Sequence, residues 1–167
     1  GTAFTHELGR SCAREKLTVV SGGARGVDQA AMNGSLDSGG NAVGALANDL
    51  IRAVVKGGAR QAIQEDRLAL FTPYHPNAGF NVGNAMARNK LIYALADAAV
   101  VVNSSLAKGG TWAGAIENLK KWKVPLYVRD VNGAHGNKRL IQEGGTAFPA
   151  EALNQPSMLL EPISVPE

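Results

Sequence analysis

The apolar positions fall in short runs separated by paired glycines: Gly22-Gly23, Gly39-Gly40, Gly57-Gly58, Gly109-Gly110 and Gly144-Gly145. Glycines placed between runs punctuate elements and leave their interiors intact. Residues 5–16 predict a helix with Leu8 and Cys12 on one stripe and Thr5 as a candidate N-cap. Leu17 to Val20 predicts a strand, and Gly26 to Asp37 the helix that follows it. Asn41 to Ala47 predicts an Ala-rich second strand, and Asn48 to Asp66 a helix interrupted at Gly57-Gly58. Leu68 to Thr72 predicts a third strand, ended by the loop Pro73 to Asn84. A helix over Ala85–Ala96 leads into Ala98–Val102, the clearest buried strand of the chain. Thr111–Trp122 predicts a helix, Val124–Val128 a strand and Asn137–Gln142 a short helix.

Strands alternating with helices, and β-branched runs without in–out alternation, predict an open α/β sheet, mostly parallel, with helices on both faces. No repeat and no inter-domain linker interrupts residues 1–150, which therefore make one domain. Residues 151–167, with Pro156, Pro162 and Pro166 and little periodicity, predict a tail draped on the surface.

Composition narrows the function classes. With 45% hydrophobic and 19% charged residues, the chain is the opposite of a disordered composition. A single cysteine, Cys12, excludes an internal disulfide framework and a Cys-rich zinc site. It suits a reducing, cytoplasmic setting. No apolar run approaches the ~20 residues that span a bilayer, and no basic-then-apolar signal peptide opens the chain. The start at Gly1 instead of Met suggests a trimmed N-terminus. His6, His75 and His135 are dispersed without metal-ligand spacing, so neither a metal nor a cofactor is expected. The net charge of +3 permits an anionic partner without demanding one.

In an open α/β sheet, ligands bind beyond the carboxyl ends of the strands, and three segments arrive there. Ser21-Gly22-Gly23-Ala24-Arg25-Gly26-Val27-Asp28 joins the first strand to its helix. Small residues at such a turn let backbone N–H groups approach an anion, and the helix dipole favours negative charge. Arg25 adds a positive fork. The spacing partly fits a dinucleotide fingerprint, with Ser21 in place of the first glycine and Asp49 as the acidic residue for a ribose. A tight turn that needs small residues for packing explains it equally well. The second segment is Arg88-Asn89-Lys90, expected near a helix start at the same edge. The third, Lys108-Gly109-Gly110-Thr111 running on to Glu117, follows the strongest strand and opens a helix. It is no Walker A loop, because Lys108 precedes the glycines. Two anion-binding helix starts on adjacent strands favour a phosphate-bearing ligand.

These three segments, in this order, resemble the DNA-processing protein A family (DprA, also called Smf). The likeness rests on Ser21 to Asp28, on Arg88-Asn89-Lys90-Leu91-Ile92 leading to Leu95-Ala96-Asp97, and on Gly109-Gly110-Thr111, across roughly residues 5 to 130. The resemblance implies a Rossmann-like domain that binds single-stranded DNA in a basic pocket, dimerises, and hands DNA to the RecA recombinase during natural transformation. It carries over Ser21, Gly22, Gly23, Arg25 and Gly26, then Arg88, Asn89 and Lys90, and the backbone of Gly109, Gly110 and Thr111. The sequence also departs from the family. Phe80 stands further from Arg88 than the Phe-Pro-x-Arg-Asn pattern has it, the family's first strand with its Gly-Ser-Arg turn has no counterpart before Thr5, and no winged-helix domain follows. Phe80, Tyr74 and Trp112 are the candidate stacking residues. The wider superfamily includes the lonely-guy phosphoribohydrolases. A reading in that direction makes Arg88 a phosphate grip and Glu117 the catalytic carboxylate of a nucleotide N-glycosidase. A third alternative is a nucleotide sensor without turnover.

Overall fold

The computed structural model describes residues 1–162. Helix α1 (Thr2–Arg14) leads into strand β1 (Val19–Ser21), then α2 (Val27–Asp37) and β2 (Ala42–Ala45). The helix expected over 48–66 is two helices, α3 (Leu50–Val55) and α4 (Ala59–Gln64), broken where the glycine pair predicts. Strand β3 (Leu68–Phe71), helix α5 (Val82–Leu95) and strand β4 (Ala99–Val101) follow. The last third holds α6 (Gly109–Glu117), a π turn over Asn118–Trp122, β5 (Leu126–Val128), α7 (His135–Gln142) and β6 (Thr146–Ala147).

Every strand pair is parallel, as the apolar runs imply. The strands form two three-stranded sheets, β1-β2-β3 and β4-β5-β6. In the first, Val19 lies opposite Ala42 and Ala42 opposite Leu68; in the second, Ala99 lies opposite Leu126 and Tyr127 opposite Thr146. Each half has its own core. Met32, Ala42, Ala62 and Leu68 pack in one, and Tyr93, Val101, Leu126, Val128 and Leu140 in the other. The fold is α/β, and among the described residues β1 and β4 do not pair with each other.

Some elements differ from expectation for local reasons. Thr5 does not cap α1; it sits inside the helix, and its hydroxyl donates to the Gly1 carbonyl at 2.8 Å. Helix α5 begins three residues early because the Asn81 side chain accepts from the Asn84 N–H at 3.0 Å, a cap that the Asn-rich loop concealed. Beyond Glu117 the helix widens into the π turn. Buried Asn118 there trades two hydrogen bonds with the backbone of Val124, which sets up β5.

The stretch expected as a surface tail holds regular turns over its described part. Two 3-10 turns, Ala150–Leu153 and Pro156–Leu160, bury Ala152 and Leu159 against Tyr127. Residues 150–160 thus build a third buried cluster around Tyr127, beside the two cores described above. The remainder of the expected tail, 163–167, lies outside the described residues.

Helices α1 and α2 pack closely enough to exclude side chains at the crossing. A Cβ on Gly34 would stand 2.1 Å from the His6 carbonyl oxygen, and one on Gly9 would stand 2.3 Å from that of Ala31. This contact runs the two helices side by side and places the start of α1, at Thr2, beside Gly26, beyond the carboxyl end of β1.

Candidate functional site

The three motifs converge where the two half-sheets face each other. The organiser is Arg88. It sits in the second turn of α5, not at the helix start, and only 7% of it is exposed. Its Nη1 donates to the carbonyls of Gly22, at 2.8 Å, and Ala45, at 2.5 Å, so one guanidinium ties α5 to the ends of β1 and β2. A Cβ on Gly22 would stand 2.8 Å from that guanidinium, so the motif needs glycine here for close approach. The buried Nε–H of Arg88 has no hydrogen-bond acceptor among the described residues.

Asp28 is the countercharge, and the sequence reading passed over it although it closes the first motif. Burial raises its carboxyl pKa above the ordinary value of 3.8, while the Ala24 N–H, Arg88, the Gly22 N–H and Ser21 pull it back down. The Ala24 N–H donates to it at 3.3 Å. Burial lowers the pKa of Arg88, and Asp28 and Tyr74 oppose that shift. Ser21 and Gly22 are buried beside the pair. Gly23 and Gly26 hold positive φ, +69° and +90°, which shapes the turn into α2.

Asn89 is the hinge to the third motif. Its Nδ2 donates to the Gly110 carbonyl at 3.0 Å, so neighbouring residues of α5 grip the Gly22 loop and the start of α6. Gly22, Asp28, Arg88, Asn89, Gly110 and Thr111 all line one cavity of 870 Å³. No side chain caps α2 or α6. In α2 the Gln29 N–H already donates to the Ala24 carbonyl, which leaves the N–H groups of Val27 and Asp28, with those that open α6, to face an anion, in contrast to the capped start of α5.

Other expected residues stand apart. Arg25 and Lys90 are exposed and do not line the cavity. Gly109, with φ of +80°, is exposed at the turn into α6. Asp49 is outside the cavity as well; it precedes α3, and its N–H donates to the Ala78 carbonyl. Glu117 pairs with Lys121 at 3.1 Å and does not reach the cavity. The N-glycosidase reading thus has its arginine without its carboxylate. Of the stacking candidates, Trp112 packs on the second core and Tyr74 donates its hydroxyl to the Asn84 carbonyl. Phe80 alone stands free, 70% exposed at the mouth.

A second organiser escaped the sequence. Asn137 is fully buried: its Oδ1 accepts from the Ser104 N–H at 2.8 Å, and its Nδ2 donates to the Val102 and Arg129 carbonyls at 3.0 and 2.8 Å. It locks the ends of β4 and β5 and the loop that leads to Gly109. A lone asparagine on a short helix carries no spacing signal, so only the fold reveals it.

This set of loops matches one family along most of the chain. The model of the DNA recombination-mediator protein A family covers residues 1–159. The chain belongs to that family. DNA processing protein DprA sequences from two strains of Mycobacterium tuberculosis are 35% identical over 122 residues, 70% of this chain and 31% of theirs. The chain thus spans about a third of the curated relatives it matches. Among solved structures, DNA processing protein A of Streptococcus pneumoniae superposes with a TM-score of 0.72 at 21% identity, covering 95% of this chain and 56% of its own. DNA processing protein A from Helicobacter pylori, described for its unique single-stranded DNA binding mode, superposes at 0.71 and 23%, covering 94% and 73%. At such identities the superpositions speak for the fold that the family shares.

Proposed function

We propose that this chain binds single-stranded DNA at the carboxyl edge of its sheets, with phosphates held by the turn at Ser21 to Gly26, the start of α6 at Gly109 to Thr111, and Arg88. The observation that carries the reading is Arg88 itself. A buried guanidinium with an unmet Nε–H, between two uncapped helix starts, is a site short of an acceptor. Phosphate oxygens supply that acceptor, and a charge-assisted bond there is stronger than a neutral one. Arg25 and Lys90, exposed and outside the cavity, add positive charge that draws in the strand. Phe80 offers a face for one base. Family membership and the Helicobacter pylori relative support the same ligand class.

With a net charge of only +3, affinity must come from this focused site and not from a broad basic face. Each phosphate neutralised contributes about −0.7 to the slope of log K against log salt for single strands. Fluorescence anisotropy with labelled oligo-dT tests the proposal. Binding at low salt is expected, weakened severalfold by Arg88→Lys, which keeps the charge and loses the fork. Arg25→Ala and Lys90→Ala should each lessen the salt slope. Absence of binding at low salt, or binding indifferent to Arg88→Lys in a folded variant, contradicts it. Mononucleotides as competitors separate a strand site from a nucleotide site: a strand site ranks oligo-dT far above AMP.

A further inference from the structure

Exposed apolar side chains connect the motif loops to a helix that carries none of the motifs. Ile51, Val55, Phe80, Val82 and Met86 all stand exposed, on α3, on the loop before α5 and on the first turns of α5. Hydrogen bonds join these segments. The Asp49 N–H donates to the Ala78 carbonyl at 2.8 Å, and the Ile51 N–H to the Pro76 carbonyl at 3.2 Å. Phe80, Val82 and Met86 also line the cavity that holds Arg88. An apolar arc thus runs from that cavity, along residues 76–81, to α3. The first motif adjoins the same region, because a Cβ on Gly23 would stand 2.5 Å from a methyl of Leu46, which opens the loop between β2 and α3.

Helix α3 has no buried residue. Leu50, Ala53 and Val54, at the spacing of one helix face, are partly covered. On the outer side Ile51 and Val55 are 50% and 64% exposed, and Arg52 and Lys56 form an exposed stripe beside them. Neither cation has an ion pair among the described residues, whereas Arg10, Arg14, Arg67, Lys121 and Arg139 each meet a glutamate. Carboxylates are kept away from this surface. Asp49 is the only one between Asp37 and Glu65, its Oδ2 accepts from the Asn48 amide at 2.9 Å, and none occurs from Arg67 to Ala96. The same stretches carry Arg52, Lys56, Arg88 and Lys90.

A surface with one apolar stripe, one cationic stripe and few carboxylates suits a polymer of the same make-up, flat bases on an anionic backbone. We propose, taking single-stranded DNA as the ligand of the motif loops, that the strand continues past Phe80 onto α3, where Arg52 and Lys56 hold phosphates and Ile51 and Val55 support bases. Arg52 and Lys56 are one helical turn apart, ~6 Å along the axis, which suits neighbouring phosphates of an extended strand. The apolar pair beside them covers part of the base faces from water. Short oligonucleotides then fill the motif loops alone, and longer ones reach α3 and release more counterions. Paired apolar and basic stripes also suit an anionic membrane surface, which the experiment separates from DNA.

Fluorescence anisotropy with oligo-dT of about 4 and about 15 nucleotides, over a salt series, tests the proposal. The unaltered chain should bind the long probe with the steeper salt slope. Arg52→Ala combined with Lys56→Ala should weaken the long probe severalfold, with a much smaller loss for the short one. It should also reduce the long-probe slope by about 1.4, two phosphates at about 0.7 each. Ile51→Ser combined with Val55→Ser should weaken the long probe without changing its slope. Lys120→Ala combined with Lys123→Ala removes the same charge beyond the far end of α6 and should leave the slope as it is. All three pairs lie on the surface except where Val124 follows, and an unchanged Tm verifies each fold. A long-probe slope indifferent to Arg52→Ala with Lys56→Ala, or an equal effect of the Lys120 and Lys123 pair, overturns the proposal and leaves the motif site standing. Failure of both probes to bind the unaltered chain overturns the motif site and the α3 contact together. Binding to phosphatidylserine vesicles that requires Arg52 and Lys56, with the long probe unaffected by their loss, gives the stripe to a lipid surface and overturns it too.

Discussion

Arg88 shows how one side chain sets the geometry of several loops. Two of its bonds go to backbone carbonyls at the ends of β1 and β2, and the space for it exists because position 22 is glycine. Gly22→Ala puts a methyl 2.8 Å from the guanidinium, so either the loop or the arginine must move. Overpacking of this kind costs about 1–3 kcal/mol. The variant should lose roughly that much stability in urea denaturation and weaken oligo-dT binding as well; unchanged stability and affinity would show that the loop yields freely. Asp28 gives a pH signature. Folding raises its pKa, so the folded state holds the proton more tightly than the unfolded chain. Stability should therefore fall as pH rises from about 3.8 through the raised value, and then level off. Asp28→Asn should remove this descent from a series of urea titrations across the acid range. A descent of the same size in the variant would mean another group is responsible.

At the scale of elements, the legible parts were those with strong local signals. The glycine pair at 57–58 placed the break between α3 and α4, and the Val-rich runs placed β1 and β4. The start of α5 was misplaced because its cap is an asparagine among other turn residues, and β6 was missed because two exposed residues carry no periodicity. The last two 3-10 turns read as tail because their buried residues, Ala152 and Leu159, are set by the shape of the surface around Tyr127. Asn137 belongs to the same class, since its three partners are distant in sequence and close only after β4, β5 and α7 have packed. Asn137→Ala strips partners from buried backbone groups at about 1–3 kcal/mol each. Denaturant unfolding should show a loss of several kcal/mol, and a loss below 1 kcal/mol would show that solvent replaces the side chain.

At the scale of the molecule, the sequence identified the parallel α/β class and the three loops that meet at one edge, while the structure chose among their residues. It drew Ser21, Gly22, Arg88, Asn89, Gly110 and Thr111 into one cavity and left Arg25, Lys90 and Glu117 outside it. It also divided the strands into two three-stranded sheets, which no local pattern foretold. The excess of glycine has a similar origin, since several glycines mark places where backbone or guanidinium comes too close for a side chain. In the proposed function, phosphate completes Arg88 and the uncapped helix starts. Two-dimensional ¹⁵N NMR of the chain titrated with oligo-dT tests it without altering a residue. Shifts confined to the amides of Gly22 to Gly26 and Gly109 to Thr111, together with the Arg88 Nε–H resonance, are the predicted result; shifts that map elsewhere, or an Arg88 Nε–H that does not respond at saturation, would contradict it.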